Sequence, residues 1–144
     1  MFFSSKGSED VLNDIINIDL HIHSAASEYK EAKGYLKNST IDNIDVLLKK
    51  LNDNNINLFS ITDHNRFDLE LYKKAKVLIE KGMYKNILNI LPGIEFDVQI
   101  EEEKEACHII CIFDDFKLDK LTDINAVLNQ KLLTKPTDYY TKDE

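Results

Sequence analysis

Apolar residues fall along the chain in two alternating kinds of run. Residues 15–20 read IINIDL, a short β-branched run that predicts a strand leading directly into His21-Ile22-His23. The polar stretch 24–39, with Gly34 in it, predicts a loop. Thr40 then stands as the N-cap of a helix in which Ile41, Ile44, Leu47, Leu48 and Leu51 recur at helical spacing, ending in the Asn-rich residues 52–55. The rhythm repeats with a strand over 56–62, a turn at Asp63-His64-Asn65, and an amphipathic helix over 69–81 stopped by Gly82. A third apolar run covers 87–94. Strands alternating with helices favour parallel βαβ units, so an α/β layer or barrel is the expected architecture.

The alternation breaks after the third run. Only the acidic residues 101–105 separate the strand through Ile100 from the next apolar run, 108–113. A parallel connection needs a dozen or more residues, so these two runs are expected to pair as an antiparallel hairpin with a solvated acidic tip. Residues 118–133 predict a further helix, and 134–144, with Pro136, a frayed tail.

Composition narrows the function classes. Lys+Arg 18 against Asp+Glu 26 gives a formal net charge of -8, which argues against a basic, sequence-independent nucleic-acid clamp. It leaves a metal-mediated phosphate site open, because bound divalent cations reverse the local sign that an anionic substrate meets. Cys107 and Cys111 are too few and too close for a disulfide framework, and a disulfide between them would have to span roughly 13 Å of extended strand. They read as small buried hydrophobes on the strand face opposite His108. A reducing, cytoplasmic setting follows from this cysteine usage. No run approaches the ~20 apolar residues that cross a bilayer, so no membrane partner is expected.

The four histidines all lie at edges of apolar strands: His21 and His23 after the first, His64 after the second, His108 opening the fourth. Residues i and i+2 of a strand share a face, so His21 and His23 can converge on one ion. Asp19 lies two positions earlier, as a ligand or as an orienting carboxylate. Asp63-His64 repeats the acid and imidazole pairing at the carboxyl end of a strand, where ligands bind in α/β folds. Glu95 ends the third run with a carboxylate able to bridge two metals, and Gly93 before it allows close backbone approach. Other chemistries lack their parts. There is no GxGxxG or GxxxxGK[ST] phosphate loop, no G-x-S-x-G nucleophile elbow, and no stacked aromatic pattern for bases. Metal-assisted hydrolysis is what remains.

Four stretches, Asp19-Leu20-His21-Ile22-His23-Ser24, Ile61-Thr62-Asp63-His64-Asn65, Gly93-Ile94-Glu95 and His108-Ile109-Ile110, together resemble the first four motifs of the PHP (polymerase and histidinol phosphatase) family, in order, spacing and strand context. The resemblance implies the N-terminal part of a distorted (β/α)7 TIM-like barrel, with about four strands and three helices present. It divides the chain into an N-terminal tail over 1–14, the PHP part over 15–133, and a tail or the start of the C-terminal remainder over 134–144. It also implies divalent ions (Zn, Mn or Fe), up to three in a complete domain, and hydrolysis of a phosphate ester or nucleic acid. Carried over by position, His21 and His23 hold one metal, Glu95 bridges it to another, and His64 and His108 ligate the remaining ions. Glu28 matches a position often filled by a ligating acid, and Asp63 is a partner for His64, so the catalytic set is Asp63, His64 and Glu95.

The chain departs from the family where later ligands are concerned. No histidine follows His108, so the further histidine and the terminal Asp-x-His pair have no counterpart. Four strands and three helices do not close a barrel and would leave a sheet edge unpaired, to be completed by the C-terminal remainder of the domain or by a homo-oligomer partner. Two other readings compete with a phosphoesterase. One is a non-catalytic or regulatory metal-binding module of a larger ATPase or polymerase. The other is an amidohydrolase-like barrel, which also opens with His-x-His but is disfavoured by Ile-Thr-Asp-His-Asn and the short spacing from Glu95 to His108.

Overall fold

A computed structural model describes residues 15–27, 39–100, 106–114, 118–131 and 139–141. The expected N-terminal tail over 1–14, Glu28 and the acidic tip over 101–105 lie outside the described residues. The chain is mixed α/β. Strand β1 is Ile18–Ile22, helix α1 Ile44–Asp53, β2 Leu58–Ile61, α2 Leu69–Glu80, β3 Asn89–Gln99, β4 Cys107–Ile112, α3 Leu118–Lys131 and β5 Tyr140–Thr141. The sheet runs β1-β2-β3-β4 and curls as a half-barrel, with β5 added beside β3.

The pairing follows the expected logic. Strands β1, β2 and β3 are parallel, with α1 and α2 as the crossovers. Strands β3 and β4 are antiparallel, as their short connection requires. The long β3 changes partner along its length: residues 89–92 pair with β2, and residues 93–98 pair with β4 on the other edge. Val98 pairs with both Cys107 and Tyr140, so β5 occupies the edge that β2 has left. The stretch 134–144, expected as a frayed tail, therefore contributes two residues to the sheet. The Tyr140 ring explains why, since it is buried edge-on against Phe96 with centroids 5.3 Å apart.

The apolar core lies on the helix side of the sheet. Helix α1 buries Ile44, Leu48 and Leu51 at the i, i+4, i+7 spacing, and α2 buries Leu69, Leu71, Tyr72, Ala75 and Ile79. These meet Phe59, Ile61, Ile90 and Ile94 from the sheet and Leu121 from α3. Each large side chain so buried contributes about 1.5–3 kcal/mol. Helix α2 begins where the Asp68 carboxylate accepts the Leu71 backbone N–H at 2.9 Å and ends at Gly82, whose φ of 70° suits a residue without Cβ. No helix among the described residues is long and apolar enough to cross a membrane.

Two expectations need correction. Thr40 is extended and makes no side-chain cap to α1, which starts at Ile44 after a one-turn 3-10 helix over Ile41–Asn43. Ile41 is exposed, so no burial pulls that first turn into register. The cysteines do lie on the face opposite His108, level with Val98 and Ile94, but Cys107 is exposed and Cys111 half-buried. The reason is position: β4 is the last strand of the path, and the core on its helix side reaches Cys111 only.

The face opposite the core leaves no room for a side chain at Gly93. A Cβ there would lie 2.4 Å from Ser60 Oγ and 2.9 Å from both Thr62 Cγ2 and Ile112 Cδ1. Gly93→Ala is expected to destabilise the chain by about 1–3 kcal/mol in urea unfolding through this overcrowding, and wild-type stability would refute the tight approach. A second check concerns Tyr84, which ties the turn after α2 to α1 by donating to Asp45 Oδ1 at 2.9 Å. Burial, helped by this hydrogen bond, pushes its phenol from an ordinary value near 10 up to about 12. The folded state thus holds the proton more tightly than the unfolded one. That stabilisation is complete below pH 10 and is lost as pH rises toward about 12. Tyr84→Phe is expected to lower stability at neutral pH and to flatten the loss over that window; parallel curves for the two proteins would contradict it.

Candidate metal centre

The centre is assembled at the carboxyl ends of β1, β2 and β3 and on the facing end of β4. Along β1, three steps from Asp19 to Ile22 match two steps from Phe59 to Ile61, which marks a β-bulge. Bulges re-aim side chains. Here the bulge takes Asp19 out of the alternation that carries His21 and His23, and the Asp19 carboxylate accepts the His21 backbone N–H at 3.3 Å instead. His64 sits just past β2 and bridges to Glu95, whose backbone N–H and C=O are bonded by Asp63 O at 3.1 Å and Asn65 N–H at 2.7 Å. Asn65 has a φ of 50°, which an asparagine tolerates and which turns the chain off the β3 edge. From the other edge of β3, antiparallel register sets His108 level with Asp97.

Glu95 is the hub. Its side chain has no solvent exposure, and its Oε2 lies 3.1 Å from Nε2 of His21, 3.1 Å from Nε2 of His23 and 3.5 Å from Nδ1 of His64. Its Oε1 lies 2.6 Å from Nδ1 of His108. The imidazoles form a continuous row, with ring centroids 4.8, 4.7 and 5.1 Å apart from His21 through His23 and His64 to His108. The row opens to water at both ends, since the side chains of His21 and His108 are 49% and 53% exposed.

The expected set is therefore brought together: His21, His23, His64, Glu95 and His108 meet in one cluster, while Glu28 lies outside the described residues. Two groups share the Glu95 carboxylate. One is His21, His23 and Glu95; the other is His64, Glu95, Asp97 and His108. Asp97 is the residue that sequence reading missed. Its signal was present, because Gly93, Glu95 and Asp97 alternate on one strand face in the way His21 and His23 do.

Asp63 has a different task from the one expected. The carboxylate that takes the His64 ring nitrogen is that of Asp97, at 3.0 Å. Asp63, itself buried, accepts three hydrogen bonds: from the Ser24 backbone N–H at 2.7 Å, Ser24 Oγ at 2.5 Å and Ser27 Oγ at 2.7 Å. Ser27 Oγ in turn accepts the His64 backbone N–H at 3.0 Å. Asp63 thus fastens the turn after His23 to the backbone of His64. The polar residues after His23, read only as a loop, supply its partners.

The donor set fits a divalent cation. Nε2 of His21 and Nε2 of His23 are 2.8 Å apart and converge on the same carboxylate oxygen, an arrangement of lone pairs that a proton or a cation must reconcile. Among the described residues the buried Glu95 Oε1 has the His108 Nδ1 at 2.6 Å but no hydrogen-bond partner, which leaves it capacity for a cation. Mixed imidazole and carboxylate ligands suit several first-row metals. Neither a scan of the chain against protein-family models nor a search of curated proteins finds a match.

Removing the Asp63 carboxylate strands the hydroxyls of Ser24 and Ser27. Asp63→Ala is expected to lower stability by about 1–3 kcal/mol on thermal unfolding. An unchanged melting temperature would show that the fastening is unnecessary.

Proposed function

We propose that this chain is the N-terminal part of a PHP-type domain and serves metal-dependent hydrolysis of a phosphate ester, either a nucleic acid or a small phosphate. One observation carries the proposal: a single fully buried carboxylate, Glu95, lies within 3.5 Å of a ring nitrogen of every histidine in the chain. In this reading His21, His23 and Glu95 hold one ion, and His64, Glu95 and His108 hold another. The kinds are Zn, Mn or Fe, with up to three ions in a complete domain. Bound ions of this type lower the pKa of a water toward neutrality and offset the charge of the phosphoryl oxygens.

The residues themselves do the rest. The imidazoles and the Glu95 carboxylate would present their lone pairs from in and beside four strands that one sheet brings together. Burial of Glu95 keeps water from competing for its oxygens. The half-exposed rings of His21 and His108 leave the cluster accessible, so substrate enters from the solvent side. With a net charge of -8, the chain itself does little to attract an anion, and affinity for phosphate rests on the bound cations. Among the described residues no strand pairs with the outer edges of β1 and β4, and in this reading the remainder of the domain or a second copy would cover them.

A non-catalytic module of a larger polymerase or ATPase is the second reading.

The test is metal content by plasma mass spectrometry together with hydrolysis of bis(p-nitrophenyl) phosphate and p-nitrophenyl phosphate by the Mn- or Zn-loaded chain. Glu95→Gln and His21→Ala/His23→Ala are expected to lose bound metal and to abolish hydrolysis. Full activity in chelator-treated protein would overturn the proposal, and tight metal binding without turnover would select the non-catalytic module.

A further inference from the structure

Arg66 is the only arginine in the chain, against 17 lysines, and it stands two residues after His64. Its neighbours fix its place at the carboxyl end of β2. Asn65 is buried and holds Asp97 twice, its side-chain amide donating to Oδ2 at 2.9 Å and its Oδ1 accepting the Asp97 backbone N–H at 2.9 Å. Phe67 is buried on the other side, with its ring centroid 5.8 Å from that of Tyr72 and 6.4 Å from that of Phe113. Arg66 is exposed between these two anchors. The next acids along the chain are engaged elsewhere: the Asp68 carboxylate accepts the Leu71 backbone N–H at 2.9 Å, and Glu70 pairs with Lys73 at 2.6 Å. Among the described residues no carboxylate pairs with Arg66, in a chain that has 26 acidic residues.

We propose that Arg66 is a substrate-binding residue, whose guanidinium takes two non-bridging oxygens of a phosphoryl group brought to the candidate metal centre. Three observations meet here. The first is residue type: a guanidinium is a planar fork that matches two phosphate oxygens at once, whereas a lysine offers a point charge, and this chain uses its one arginine beside the cluster. The second is position. Asp97, which Asn65 holds next to Arg66, has its Oδ1 3.4 Å from Nε2 of His108, and the His108 side chain is 53% exposed. Arg66 and this solvent-facing end of the cluster therefore share one rim, and a long flexible stem lets the charged head follow a ligand there. The third is charge: in a chain of net charge -8, a cation with no acid partner keeps its field for an incoming anion. Bound cations would supply most of the attraction, and Arg66 adds orientation through a contact that involves none of the metal donors.

The inference rests on the phosphate-ester reading, and two measurements on the full chain separate their fates. The first is Zn content of the wild type, Arg66→Ala and Arg66→Lys. The second is binding of phenylphosphonate, a phosphate stand-in with a C–P bond that does not hydrolyse, to the Zn-treated proteins. Labelling with 13C-arginine makes the wild-type spectrum that of Arg66 alone, because the chain has no other arginine. The Arg66 side-chain signals are expected to shift and saturate with phenylphosphonate. Arg66→Ala should weaken its binding about 10- to 100-fold with Zn content unchanged, and Arg66→Lys, which keeps the charge without the fork, should recover only part of the loss. Wild-type affinity in Arg66→Ala, or an arginine signal that stays still or drifts without saturating, would overturn the assignment. Loss of Zn in Arg66→Ala would also overturn it, by giving the residue a part in building the centre. Zn bound with no response at Arg66 sinks the arginine alone. A saturating response at Arg66 without bound Zn sinks the metal centre and leaves the anion contact standing.

Discussion

A carboxylate withdrawn from water is costly unless something positive or proton-donating meets it. The Glu95 side chain is fully buried, and its ion-pair contacts among the described residues are imidazoles from β1, from the end of β2 and from β4. Much of the architecture can be understood as the means of meeting that constraint. Four histidines in a chain of 144 residues are drawn to one carboxylate, and the strands that carry them must lie in the order found. Imidazole nitrogens and carboxylate oxygens gathered this closely are a donor set that could hold a cation.

The central strand makes this convergence possible. By pairing with β2 over its first four residues and with β4 over the next six, β3 exposes both of its edges to histidine-bearing segments. His64 arrives from one edge and His108 from the other, and the inward face between them carries Gly93, Glu95 and Asp97. Gly93 lets Ser60, Thr62 and Ile112 close up beneath the hub, while the helices bury the opposite face. Packing energy from one face thus holds the polar geometry of the other. Asp63 extends the same rigidity to the turn after His23, so that the first pair of imidazoles and the third are anchored to each other through Ser24 and Ser27.

Some features were legible because they are local. The two crossover helices follow from 3.6-residue periodicity, and the antiparallel return of β4 follows from a connection too short for anything else. His21, His23, His64, Glu95 and His108 stood out because polar residues at the ends of apolar strands need a reason to be there. Thr40 was misread because capping chemistry is a tendency that a preceding 3-10 turn can displace. Cys107 was misread because burial depends on which strand ends the sheet path. Asp63 was misread because an acid adjacent to a histidine in sequence points the opposite way on extended backbone, toward Ser24 and Ser27.

By itself, then, the sequence determined the alternation of strands and helices, the parallel-then-antiparallel order, and the identities of five residues that converge. These depend on periodicities of two and 3.6 residues and on connection length, which are properties of neighbours along the chain. Only the tertiary structure decided that Glu95 touches all four histidines, that a bulge removes Asp19 from their row, and that Asp97 joins His64 to Asn65. Those outcomes turn on register between strands far apart in sequence. A shift of one residue would turn every one of these side chains to the other face, and no local pattern records which register wins.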